Sequence, residues 1–456
     1  MHSPSRRRML VAAVTAGAAS LVLAACTGGT TLADPGSDGS TGDAGATTVT
    51  FRLWDDVAAP AYAESFDAFS AAHPDLRVQV EVVPRGEYAD RLREDMTDGD
   101  MADVFWATPT MYPAYAAAGD LVEVGADPDE AVWERSVVDL FTYRGTLWGV
   151  PQLWDSVALY YNEPLVAAAD VDPSRLAWTP GGGAGDTLQA ASRALTVDTT
   201  GRHPGEAGFD PGATQSYGFN AGADLFAIVL PFLAQNGVRF RDGQEFTFAT
   251  PDGEAAFQYL VDLVRAQVAP PAAQDGARDG ADAGPARDLF THGRLALFQS
   301  SSQDLRTLVQ DAGPGLRIAP MVAGPQGRPG VLTGVAAVGN AHSAHDGATR
   351  EVLRWLGSAD GQAALASQGV GVPAVAGAQE AYAEYWAARG VDVQPFLDAA
   401  REPGAPAPAA IGVDAGIAAV QPVLDRMFRG EIPVPEAVAQ AQQAGNAALA
   451  TPSPEP

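Results

Sequence analysis

Apolar positions set the frame of the chain. In VTFRLWDD (residues 49–56), Val49, Phe51 and Leu53 alternate with polar neighbours, the period of a half-buried strand. Pro60 then opens a stretch in which Tyr62, Phe66 and Phe69 recur at helical spacing, and His73-Pro74 predicts its end. LRVQVEVV resumes the two-residue period through Val78, Val80 and Val82. After a further helical stretch, ADVFWA (residues 102–107) is a continuous apolar run, as expected of a strand covered on both faces. Strand, helix, strand, helix, strand predicts an α/β fold, and ligands of such open sheets bind beyond the carboxyl ends of the strands. Trp54, Asp55 and Asp56 close the first strand and Trp106, Ala107 and Thr108 the third. The two groups are therefore expected to converge on one cleft.

The amino-terminal stretch obeys another pattern. Arg6, Arg7 and Arg8 precede an apolar segment, Met9 to Ala25, that is too short and Ala-rich for a comfortable membrane span. It ends at Cys26, the single cysteine, which has no partner for an intramolecular disulfide. Leu23-Ala24-Ala25-Cys26 resembles the lipobox of bacterial lipoproteins, which implies removal of residues 1–25 as a signal peptide and lipidation of Cys26. Ser5 to Leu10 is similar to a twin-arginine export signal, and a plain basic n-region is the other reading. The expected location is the extracytoplasmic face of the cell membrane, with a lipid anchor. Residues 26–48 read as a flexible tether and 451–456 (TPSPEP) as a disordered tail, since both lack the large apolar residues of a core. The roughly 400 residues between suit two domains.

Charge narrows the partners. All 28 basic residues are Arg against 56 acidic ones, a net −28, and such a surface repels nucleic acid and anionic lipid.

The segment GTLWGVPQLWDSVALYYNEPLV (residues 145–166) resembles the signature of extracellular solute-binding proteins of carbohydrate ABC importers, the maltose-binding-protein-like group. ADVFWAT, YGFN with PFLAQNG, LFTHGRLALFQSSSQDL and TGVAAVGN with its following helix stand in the family's order and cover nearly the whole chain after the tether. The resemblance implies a type II, two-lobed periplasmic-binding-protein-like fold. One lobe is expected from 49–156 and about 330–375, the other from 157–329 and about 376–450, with a carbohydrate bound between them. Its implied partners are the permease subunits of an importer, and a monomer without cofactor is expected. A binding protein for a non-sugar solute is the alternative within this class.

A pyranose offers an apolar C–H face and a rim of hydroxyls, so its receptor needs aromatic surfaces and planar hydrogen-bonding groups. The resemblance places Trp106 at a stacking position and Asp155 and Asp55 at polar contacts, and Trp54 and Trp154 lie beside carboxylates. Thr108, Gln152 and Gly334 complete the first-lobe candidates. Core packing is the other reading of the tryptophans, and Trp148 and Tyr160 are assigned to it. From the second lobe, Asn220 and Asp224 follow the strand YGF and serve either as ligand contacts or as helix caps. Of Ser300, Ser301 and Ser302, one is an N-cap, leaving Ser301, Ser302 and Gln303 as contacts. Gln303 stands where the family has a stacking Trp, and VDAGIAAV (residues 413–420) lacks another. The reduced aromatic wall points to a short sugar or polyol.

Rival chemistries are weaker. Asp55, Asp56 and Asp155 could be glycosidase carboxylates, yet neighbouring Asp residues at a strand end point apart. His342-x-x-His345-Asp346 reads as a loop before a helix rather than a metal site. Gly181 to Gly185 lacks the Gly-Lys-Ser/Thr of a phosphate loop, and no Gly-x-Ser-x-Gly occurs. No catalytic or metal site is expected.

Overall fold

Strand β1 (Thr47–Leu53) starts two residues ahead of the expected position and turns Val49, Phe51 and Leu53 fully into a core. Helix α1 (Ala59–Ala72) carries Pro60 in its first turn and ends before His73. Strand β2 (Leu76–Val82), helix α2 (Arg85–Asp98) and the wholly buried β3 (Val104–Ala107) follow in the predicted order. β1 lies parallel between β2 and β3. As an edge strand β2 covers its valines poorly, and Val82 is 45% exposed.

The computed structural model describes residues 45–124, 132–272, 284–402, 404 and 411–450. The expected signal peptide, Cys26, most of the expected tether and the expected tail at 451–456 lie outside the described residues. Downstream come β4 (Val150–Asn162), α3 (Thr187–Leu195), β5 (Val197–Asp198), β6 (Thr214–Phe219) and α4 (Pro251–Arg265). They lead to β7 (Leu295–Ser301), α5 (Leu305–Asp311), β8 (Leu316–Pro320), β9 (Leu332–Gly339), α6 (Asp346–Leu356) and β10 (Val372–Pro373). Helices α7 (Gln379–Ala387), α8 (Gln394–Ala399), α9 (Val413–Phe428) and α10 (Val434–Ala450) finish the fold.

Among the described residues, ten strands join one sheet in the order β2-β1-β3-β9-β4-β7-β6-β5, with β8 and β10 also paired to β4. The long strand β4 serves two sets of partners. Its residues from Val150 to Ser156 pair with β9, and those from Val157 to Asn162 pair with β7 and β8. Two hydrophobic cores flank that change. The first gathers Phe51, Phe69, Phe105, Trp106, Trp154 and Val338, and the second Trp178, Phe219, Phe232, Phe257, Leu297 and Leu424. Tyr382, Trp386 and Phe396 of α7 and α8 join the first core, whereas α9 and α10 supply Val420, Leu424 and Val438 to the second.

One buried charge departs from the alternating pattern of β1. Arg52 is 6% exposed, with Nη1 2.6 Å from Asp95 Oδ2 and Nη2 3.2 Å from Glu81 Oε2. The pairing ties β1 to α2 and β2, and it satisfies a charge that could not be buried alone.

Candidate functional site

Asp155 lies at the point where β4 changes partners. Its Oδ1 accepts from Ser302 Oγ at 2.8 Å and its Oδ2 from Gln303 Nε2 at 2.7 Å. Ser302 Oγ in turn accepts from the Ser156 amide at 3.3 Å, and Ser301 Oγ caps the turn by accepting from the Gln303 amide at 3.1 Å. Burial pushes the Asp155 carboxyl up to about 6, against the opposing effect of Gln303, Ser302 and Arg85, while Asp304 reinforces the rise. The side chain nevertheless keeps some exposure to solvent. A carboxylate enclosed by protein but reachable by water can accept a strong hydrogen bond from a bound solute.

A second group of side chains gathers at the ends of β1, β2 and β3. Trp54 is half-buried, held edge-on by Tyr88 and Trp106 with ring centroids 4.9 Å away in each case. Arg85, the first residue of α2, lies over the Trp54 ring with Cζ 5.3 Å from its centroid. Asp55 spends Oδ1 on the amides of Val57 and Ala58, at 2.8 and 3.1 Å, and so shapes the entry to α1. Thr108 and Thr110 join their hydroxyls at 2.9 Å. Asp414, in the first turn of α9, lies against this group: Thr110 donates to its carboxylate and partial burial of that carboxylate raises its pKa, although the residue as a whole is exposed. Arg85, Thr110 and Asp414 are absent from the sequence-based candidates. Arg85 reads locally as a charged helix start and Asp414 as an ordinary first-turn acid, and only the tertiary fold gives them neighbours.

Several expected contacts lie elsewhere. Trp106 is 2% exposed and donates through Nε1 to Tyr62 Oη at 3.1 Å, and Tyr62 donates to Gln152 Oε1 at 3.1 Å. Gln152 is itself fully buried, its amide nitrogen 3.0 Å from the Leu356 carbonyl. Trp154 is fully buried and donates to the Pro373 carbonyl at 3.1 Å. These three side chains fill the first core because their strands are covered on both faces. Gly334 serves packing: a methyl there would stand 2.5 Å from the Leu153 carbonyl across the β9–β4 pair. Asn220 is buried and clamps β7, accepting from the Gln299 amide at 2.7 Å and donating to the Gln299 carbonyl at 2.9 Å. Asp224 caps the helical turn Leu225–Val229 by accepting from the Ala227 amide at 2.8 Å. Tyr160 is fully buried, and Trp148 only partly. Of the expected contacts, the structure joins Asp155, Ser301, Ser302 and Gln303 through hydrogen bonds, and it sets Trp54, Asp55 and Thr108 separately at the ends of β1 and β3.

The paired histidines of the loop before α6 are engaged separately. His342 Nε2 bonds Asp120 at 2.9 Å and His345 Nδ1 bonds Asp103 at 3.2 Å, so the two histidines serve separate carboxylates. No group of three or more metal-capable side chains occurs among the described residues, and none of their helices is long and apolar enough to cross a membrane.

Comparison with known proteins agrees with the topology. The family profile of the bacterial extracellular solute-binding proteins matches residues 55–363. The crystal structure of UspC of M. tuberculosis is 41% identical with a TM-score of 0.77, covering 88% of this chain and 100% of that one. The GacH receptor of Streptomyces glaucescens, solved unliganded and with acarbose, is 21% identical with a TM-score of 0.70, over 88% of this chain and 98% of its own. Maltose-bound MalE3 of T. maritima is 18% identical with a TM-score of 0.68, over 88% and 99%. At such identities the last two show the fold alone, which is the two-lobed, periplasmic-binding-protein-like α/β fold. No curated protein matches the chain.

Proposed function

The chain belongs to the family of bacterial extracellular solute-binding proteins, and on that premise we propose that it captures a small carbohydrate, a mono- or short oligosaccharide or polyol, for an ABC importer. The family binds solutes and does not transform them, so the cleft carboxylates hold hydroxyls. The observation that carries the reading is Asp155, a partly exposed carboxylate where β4 changes partners, held by Ser302 and Gln303. A carboxylate accepts strong hydrogen bonds from sugar hydroxyls. The lobes divide in this reading near 156 and 330 and close on the ligand as they deliver it to the permease. Lipid on Cys26 holds the receptor beside the transporter, which raises its effective concentration there.

Acarbose, maltose and α-D-tagatose are bound by proteins of the same fold, and with sorbitol they make a suitable panel. A ligand that binds only the folded state raises its melting temperature. At least one panel member is expected to do so and to be recovered intact by chromatography after long incubation. Hydrolysis products, or no shift with any member, would count against the reading. Fatty-acid labelling of the expressed chain tests the anchor: wild type takes up label and Cys26→Ala does not.

A further inference from the structure

β1 and β2 run parallel with Leu53 opposite Val82, and the Val83 amide donates to the Leu53 carbonyl at 2.9 Å. The chain therefore leaves both strands side by side, through Trp54 on one and through Pro84 and Arg85 on the other. The guanidinium of Arg85 lies over the Trp54 ring, at 5.3 Å from Cζ to centroid, while Tyr88 and Trp106 pack edge-on against the same indole. Arg85 stays exposed to solvent, and its charge reaches Asp155. We propose that Arg85 is the group a ligand meets at these strand ends, and that Trp54 is the platform that positions it.

The chemistry follows from the pair. A guanidinium stacked on an indole keeps its N–H donors in one plane and loses little entropy when they bond. Arg85 then donates to one ligand hydroxyl while Asp155 accepts from another. Opposite charges within electrostatic reach of each other suit a neutral, polyhydroxylated ligand better than an ion. This assignment rests on the carbohydrate reading above. Its rival has the opposite sign: if the Trp54 face itself stacks on the sugar, Arg85 covers that face and competes.

Calorimetric titration of maltose, acarbose, α-D-tagatose and sorbitol into wild type, Arg85→Met and Arg85→Lys separates them. Arg85→Met keeps an apolar stem over the ring without donors, and it should weaken the binding of any panel member that wild type binds by about ten-fold or more. Arg85→Lys, which keeps charge but not the planar fork, should fall between the two. Melting temperatures should agree among the three proteins because the side chain is exposed. Unchanged or tighter binding by Arg85→Met overturns the role of Arg85 and leaves the carbohydrate reading standing. If wild type binds no panel member, the carbohydrate reading fails and this assignment falls with it.

Discussion

Asp155 holds a proton more tightly in the folded chain than in the unfolded one, because burial outweighs the donors of Ser302 and Gln303. With a folded value of about 6 against an ordinary 3.8, the native state binds more protons than the unfolded state between those pH values. Stability therefore falls as pH rises through that window, and the loss is complete above about 6. Asp155→Asn should raise unfolding stability at pH 7 by about 1 kcal/mol, the scale of a relieved functional site. The gain should fade as pH drops from 6 toward 4, and unfolding curves at pH 4, 5 and 7 would reveal a constant difference if the cause lies elsewhere. Trp106 behaves as a core residue. Trp106→Ala should cost about 3–5 kcal/mol of unfolding free energy, measured by denaturant titration, since it empties a buried site and breaks the relay to Tyr62. The apolar run around Trp106 indicated a buried strand, whereas Trp154 was expected at the site, and the burial of both rings is why neither is free for a ligand. Asp155 was legible through the family resemblance of its segment, whereas Arg85 and Asp414 acquire meaning only from what the fold sets opposite them.

At the level of elements, the first three strands and their helices were readable because period-two and helical spacing are local properties. The sharing of β4 was not, since its alternate pairing with β9 and then with β7 and β8 depends on segments more than a hundred residues downstream. Two side chains test how these elements are held. Asp95 and Glu81 together neutralise the buried Arg52, so Asp95→Ala, which leaves the charge to the more exposed Glu81, should cost about 1–3 kcal/mol. Gly334→Ala pushes a methyl into the Leu153 carbonyl at the β9–β4 seam and should cost about 1–3 kcal/mol. If Gly334→Ala kept full stability but weakened sugar binding, Gly334 would return to the ligand contacts.

In the molecule as a whole, one continuous sheet supports two cores, and Asp155 lies where β4 passes from one set of partners to the other. That arrangement suits a receptor, because a ligand touching Asp155, Arg85 and Asp414 would bridge both sides and favour their approach. Calorimetric titration of the sugar panel into the purified wild-type chain, repeated with Asp155→Ala, tests the central claim most directly. The account predicts near one-to-one binding of at least one panel member by wild type and binding weaker by about ten-fold or more in the variant. Wild-type affinity retained without Asp155, or no binding of any member by wild type, would contradict it.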